Sequence, residues 1–202
     1  IDIDCDFSTY WEKRGKNLKR NLKRQRNRLE KEGVRTFLKR TTDFDAAGAA
    51  VDEYGYLESE GWKAKSGTAL HPTNTQGKFY KEMVKHYCER GEGIIYQYYY
   101  GEKLVAVDIC LQRGEILTIL KTTHDEKQTT SSPAALMRQE SLKGIFDEGK
   151  TSSIEFYGKK MDWHTKWTQQ FRTMYHINYY RSILASHINK IKKKDFDDSK
   201  ND

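Results

Sequence analysis

The chain has little of several things, and each shortage removes a class of protein. Two prolines and fourteen glycines in 202 residues exclude collagen-like and low-complexity sequences. Three scattered cysteines, Cys5, Cys88 and Cys110, make neither a disulfide framework nor a CxxC metal clip. No apolar run approaches the roughly 18 residues that a membrane span needs, so no transmembrane helix is expected. His71, His86, His124, His176 and His187 show no metal-ligand spacing with one another or with cysteine, so no metal site is expected. No internal repeat or linker-like stretch interrupts residues 7–182. The chain therefore reads as soluble and cytoplasmic, with a single domain over residues 1–182 and a charged helix or tail over 183–202. It begins at Ile1 without a signal-peptide pattern and reads as a fragment of a longer protein, with native sequence missing upstream.

What is present is aromatic and unevenly charged. Thirteen Tyr, eight Phe and four Trp supply enough apolar area for a core. Of the net charge of +7, residues 13–31 carry a local +9, from ten Lys or Arg against one Glu. The remainder is close to neutral, so this is a neutral domain with one basic helix. Such a helix suits RNA, DNA or an anionic membrane surface, or is a solvated face whose apolar stripe packs on a sheet. The second reading is preferred: nucleic acid is not the expected partner, and contact with an anionic surface is at most weak.

Helix and strand signals alternate along the chain. Ser8 and Gly33 bracket a helix over about 9–32, with Trp11, Leu18, Leu22 and Leu29 as its stripe. A strand follows over 34–39, then helices over 44–58 and 79–88. Three strand-like runs, 94–100, 104–112 and 116–121, are joined by Gly101-Glu102-Lys103 and Arg113-Gly114-Glu115, which are hairpin-length turns. They predict an antiparallel meander. A helix over Pro133–Glu148, a strand over 154–157, a short helix over 163–170 and a strand over 174–180 complete the order.

This order resembles the GNAT acyltransferase fold, an α+β architecture with a mixed, mostly antiparallel sheet flanked by helices and opened into a V by acyl-CoA. The run Lys16-Asn-Leu-Lys-Arg-Asn-Leu-Lys-Arg24, the segment Gly61-Trp62-Lys63-Ala-Lys-Ser-Gly67, and Ser132-Pro133 before the post-meander helix resemble the CelD-like branch. That branch is associated with cellulose and exopolysaccharide biosynthesis and is related to Fem-type aminoacyltransferases. The resemblance implies an acetyl-CoA (or other acyl-CoA) dependent acyltransferase. Its acceptor would be an amine or hydroxyl on a small-molecule, glycan or lipid-linked cell-envelope precursor. Two alternatives stand beside it. One is a non-catalytic binding half that works with a missing N-terminal GNAT-like half. The other is a Fem-type half whose basic helix contacts tRNA.

The resemblance places the cofactor at the helix that starts at Pro133. A helix N-terminus offers backbone N–H groups and partial positive charge to a pyrophosphate. The family's glycine pattern is absent, because no glycine occurs between Lys121 and Gly144. Thr129, Thr130, Ser131 and Ser132 offer hydroxyl donors instead, with Ala134 and Ala135 in the first turn. An oxyanion donor is expected on the fourth strand, between Leu120 and Thr122. Asp108 is a candidate base in an apolar strand face with Leu104, Ala106 and Cys110; a strand Asp paired with Lys or Arg is the structural alternative. Glu155 and Tyr157 share a strand face, and Tyr157 is a candidate donor to a leaving thiolate or an amphipathic interior Tyr. His164 is a candidate base near neutral pH or a helix-start residue without a role. Trp62 and Lys63 are candidate acceptor contacts, with a Trp packed on the sheet edge as the alternative.

Overall fold

A computed structural model describes residues 1–61, 67–175, 177 and 179. The chain divides into two compact units, Ile1–Gln170 and Phe171–Asp202. The described residues of the second unit, 171–175, 177 and 179, are in no regular secondary structure, so the strand expected over 174–180 is not present among them. The tail expected over 183–202 lies outside the described residues, as do Trp62 and Lys63.

Residues 1–170 are organised by one five-stranded sheet with helices on both faces. The elements run α1 (Phe7–Glu12), α2 (Lys16–Lys31), β1 (Thr36–Thr41), α3 (Phe44–Ser59), α4 (Thr75–Glu89), β2 (Gly93–Tyr100), β3 (Lys103–Arg113), β4 (Ile116–His124), α5 (Pro133–Glu148), β5 (Ser153–Phe156) and a 3₁₀ turn, His164–Lys166. Strand order follows chain order; the first three pairings are antiparallel and β4–β5 is parallel. The parallel pair needs a crossover, and α5 supplies it.

The meander and α5 form where the sequence signals put them. Pro133 opens α5, and Gly149 ends it with φ +64°, a left-handed conformation suited to glycine. α4 starts earlier than expected, because the Asn74 side chain caps it by accepting from the Gly77 N–H at 2.7 Å. Gly77 is required there: a Cβ at this position would lie 1.9 Å from the His71 carbonyl oxygen. The single N-terminal helix expected over 9–32 is in fact two. Asp6, not Ser8, caps the first by accepting from the Thr9 N–H at 2.7 Å, and the helix breaks before Gly15. The break lets Phe7 and Tyr10 pack on Phe146, at ring distances of 5.7 and 5.0 Å, while α2 lays its own stripe on the sheet.

Two cores sandwich the sheet. α1, α2 and α5 cover one face with Tyr10, Leu22, Leu29, Leu136 and Leu142; α3 and α4 cover the other with Ala47, Val51, Tyr54 and Val84. Each fully buried Leu contributes on the order of 1.5–3 kcal/mol. Strands β2 and β3 are buried on both faces, which explains their near-continuous apolar sequence. One facial assignment changes. The β2–β3 register shifts between Tyr98 and Tyr99, so Leu104 joins the α3/α4 core while Ala106 and Cys110 stay in the α1/α2/α5 core.

Candidate functional site: a cleft where the sheet splays

Pairing of β4 with β5 ends at Ile119 opposite Phe156, although β4 continues to His124. The two strands separate there, and a cleft of about 1070 Å³ opens between them. The register of β3 on β4 slips by one residue at the same point: Ile109 pairs with Lys121 and Cys110 with Ile119, leaving Leu120 as a bulge. Bulges bend a strand and re-aim its groups. Past the bulge, the Asp125 N–H donates to the Val105 carbonyl at 2.8 Å. Antiparallel alternation then directs Thr123 and Lys121 backbone groups to β3, and turns those of Thr122 to the open edge. The Thr122 carbonyl oxygen accordingly lies 3.3 Å from the Tyr54 hydroxyl.

One wall of the cleft is the start of α5. Ser131, Ser132, Ala134 and Ala135 line it. Ser132 occupies the cap position, but its side chain makes no capping bond. Its N–H instead donates to Gln25 Oε1 of α2 at 2.8 Å. Arg28 of the same helix donates to the Thr130 carbonyl. Among the described residues, the N–H groups of Thr130, Ser131 and Ala134 make no hydrogen bond. Thr129 and Thr130 do not line the cleft. Along α2, Asn17, Asn21 and Gln25 face the cleft at four-residue spacing, with Lys13 and Arg14 just before the helix.

The floor is a buried ion pair. Arg138 of α5 is 3% exposed and Asp108 of β3 is 1% exposed. Arg138 Nη2 donates to both Asp108 oxygens and to Thr122 Oγ1, each at 3.0 Å. The guanidinium lies 4.6 Å from the Trp163 ring and 5.6 Å from Phe156, which shield it. Arg138 Nε is buried without a hydrogen-bond partner among the described residues. Asp108 is thus Arg138's counter-ion beneath the cleft and does not line it.

The opposite wall carries Tyr157, Lys159, Met161 and the 3₁₀ turn. Tyr157 is 50% exposed. Glu155, opposite Thr118 in the β4–β5 register, is outside the lining. His164 is buried and stacks on Trp163 at 3.7 Å. Burial pushes its pKa below the ordinary histidine value, and the neighbouring Arg138 charge adds to this. His164 Nδ1 lies 2.9 Å from the Met161 backbone nitrogen and 3.2 Å from its carbonyl oxygen, so the ring is held by the Met161 backbone. The Tyr10 hydroxyl and Arg14 both donate to the Trp167 carbonyl, tying this wall to α1.

The far end of the cleft holds a carboxylate that sequence reasoning missed. Glu58, near the end of α3, is 2% exposed yet lines the cleft. Its Oε1 accepts from the Tyr54 hydroxyl at 2.5 Å and its Oε2 from the Leu70 N–H at 2.7 Å. Burial, then the Glu58 charge, raise the Tyr54 pKa well above the usual tyrosine value, so its hydroxyl stays a donor. The signal was there: Tyr54 and Glu58 are four apart on one helix face. Arg138 and Gln25 were missed as well. Each is a polar residue set in an apolar helix face, which is the pattern a buried partner leaves.

Comparison with known proteins follows the same outline. Residues 16–165 match the family model of the acetyltransferase (GNAT) domain. No curated protein sequence matches the chain. Among solved structures, an aminoglycoside acetyltransferase from an uncultured soil metagenomic sample, in complex with sisomicin, is similar at TM-score 0.52. Its identity is 8%, over 73% of this chain and 97% of that one. A transcriptional regulator from Bacillus halodurans C-125 is similar at TM-score 0.53 and 8% identity, over 72% of this chain and 100% of that one. At such identities these likenesses show the fold.

Proposed function

The chain belongs to the GNAT acetyltransferase family, and from that premise we propose that it is an acyl-CoA-dependent acyltransferase working in the β4–β5 cleft. The observation that carries this is the coincidence of three features at one place. The sheet splays, Leu120 bulges, and α5 begins with N–H groups that no described residue uses.

The residues present fit an acyl-CoA. Lys13, Lys121, Lys159 and Lys166 line the cleft and suit its phosphates, and the Arg138 Nε has a hydrogen bond left to give. Ser131 and Ala134 offer backbone donors at the helix N-terminus, with the hydroxyls of Ser131 and Ser132 beside them. Acyl-CoA brings an activated thioester, so the protein's work is positioning and charge stabilisation. Thr122, beside the Leu120 bulge, presents its backbone N–H to the oxyanion. Tyr157 stands in the wall as donor to the leaving sulfur. Asp108 acts through Arg138 as a positioning residue. His164 packs the wall, buried against Trp163 with its Nδ1 turned to the Met161 backbone. Glu155 has no part in the cleft chemistry.

The motifs over 16–24 and 61–67 and at Ser132-Pro133 support a CelD-like role on a cell-envelope or polysaccharide-related acceptor. A binding half without cofactor is the competing reading. The contacts of Gln25 with Ser132 and of Arg28 with Thr130 favour it, because they occupy part of the loop. Calorimetric titration with acetyl-CoA separates the two. Micromolar binding that is lost in Ser132→Trp is expected; no binding to the folded protein at millimolar acetyl-CoA decides for the binding half.

A further inference from the structure

The cations of α2 fall into two groups. Those on its flanks have partners: Arg26 pairs with Glu140 at 2.6 Å, and Arg28 with Glu32 at 3.7 Å. The others stand opposite the leucine stripe, whose Leu22 and Leu29 are buried in the α1/α2/α5 core. The helical period gathers Lys16, Arg20, Lys23, Arg24 and Lys31 into one sector of roughly 100°. All five are exposed, and so is Lys13 just before the helix. None of the six makes an ion pair with a described residue; Arg20 donates one hydrogen bond, to Asn17 Oδ1 at 3.3 Å. Glu30, the one acid within α2, stands at the border of the sector, four residues from Arg26.

We propose that this face of α2 is a docking surface for double-stranded DNA, held by its phosphates without regard to sequence. The proposal goes beyond the acyltransferase reading and does not depend on it. Sequence alone favours a solvated face for these cations. Packing alters that balance: it satisfies the flanking arginines and leaves an unneutralised row of charge on a domain whose remainder is near neutral.

The composition of the face selects among polyanions. A bilayer holds an amphipathic helix by apolar insertion as well as by charge. The apolar stripe of α2 is already packed on the sheet, and the exposed sector has no apolar side chain. Single strands are held on aromatic platforms where bases stack, and the sector has no aromatic either. A duplex backbone needs neither, because its affinity comes from releasing counter-ions condensed on closely spaced phosphates. The dimensions agree. The 16 residues of α2, at about 1.5 Å each, extend about 24 Å. Over that length a DNA duplex presents roughly 14 phosphates, at about one per 1.7 Å. A helix about 10–12 Å across matches the major groove of B-DNA, about 12 Å wide. Lys23 and Arg24, at the two borders of the sector, are placed to meet phosphates on its two rims. The major groove of an RNA duplex is too narrow for this.

The test is fluorescence anisotropy of a labelled DNA duplex of about 20 base pairs, titrated with the full chain. Kd is expected at about 1 μM in about 50 mM salt and about a thousandfold weaker in about 200 mM, as six phosphate contacts require. Lys23→Gln with Arg24→Gln removes two contacts at residues outside the cleft lining. It is expected to weaken binding at least tenfold in the lower salt and to cut the salt effect to about a hundredfold. Lys39→Gln with Lys78→Gln makes the same charge change at exposed positions of β1 and α4, and is expected to leave both quantities unchanged. Equal loss in the two double variants overturns the proposal, because binding then follows net charge and not α2. Absence of binding in the lower salt, by protein with an intact circular dichroism spectrum, overturns it as well. Tighter binding of the single strand or of an RNA duplex of the same sequence overturns the choice of DNA. Sedimentation with phosphatidylglycerol vesicles, without binding to DNA, gives the face to a membrane instead.

Discussion

The two ends of the cleft are built in different ways. At the α5 end the wall comes from one contiguous stretch, residues 131–135, whose hydroxyls, proline and helix start are adjacent in the chain. At the α3 end it is assembled from a helix, the Leu70 backbone and a strand, and its key distances link residues 12 and 68 positions apart. A helix N-terminus is a local device and leaves a local signature. A buried carboxylate held by two donors is a tertiary device, and its sequence shows only a polar residue on an apolar face.

The contrast can be broken hardest at the floor, where both ends meet. Asp108→Ala leaves Arg138 buried without its counter-ion, and a loss of about 3–5 kcal/mol is expected in urea denaturation. Replacing both partners together, Asp108→Leu with Arg138→Met, should recover most of it, because burying a pair already costs desolvation. A double variant as unstable as the single one would show that Arg138 is held by its aromatic neighbours rather than by Asp108. Gln25→Leu probes the α5 end alone. It removes the acceptor for the Ser132 N–H, and about 1 kcal/mol is expected to be lost in the same assay. If acetyl-CoA then binds more tightly, Gln25 is a competitor for that N–H and the α5 end is only partly preformed.

The smallest effect is a pH dependence. His164 is neutral in the folded protein to a lower pH than in the unfolded chain, where it protonates near the ordinary value of about 6.5. Below that pH the unfolded chain binds the extra proton, so stability is expected to fall as pH drops from about 6.5. His164→Gln should flatten this slope in chemical denaturation at pH 7.5 and 5.5. An unchanged slope would place the titration elsewhere.

Much of the fold was readable because its signals are local. Gly101 and Gly114, at φ +60° and +57°, set the meander turns, and Pro133 and Gly149 bound α5 where the sequence put them. The break at Gly15 was not readable: the Leu stripe continues through it, and only Phe146 and the Trp167 carbonyl, distant in sequence, draw α1 out of line. Leu104 changed faces because a register slip between strands has no marker within one strand.

Of the candidate site residues, Leu120, Thr122, Ser131, Ser132, Ala134, Ala135, Tyr157 and His164 come together in one cleft. Thr129, Thr130 and Glu155 fall outside it, and Asp108 lies beneath. Spacing along a helix or strand tells which residues share a face, but not what that face meets. The sequence by itself determined the antiparallel meander, the helix over 133–148 and the adjacency of hydroxyls and proline at its start, since each depends on neighbours in the chain. The tertiary structure alone decided that β4 parts from β5 at a bulge, that Arg138 finds Asp108, and that Glu58 looks into the cleft. Those outcomes depend on register and on which buried polar groups find partners, and both are settled only when distant segments pack.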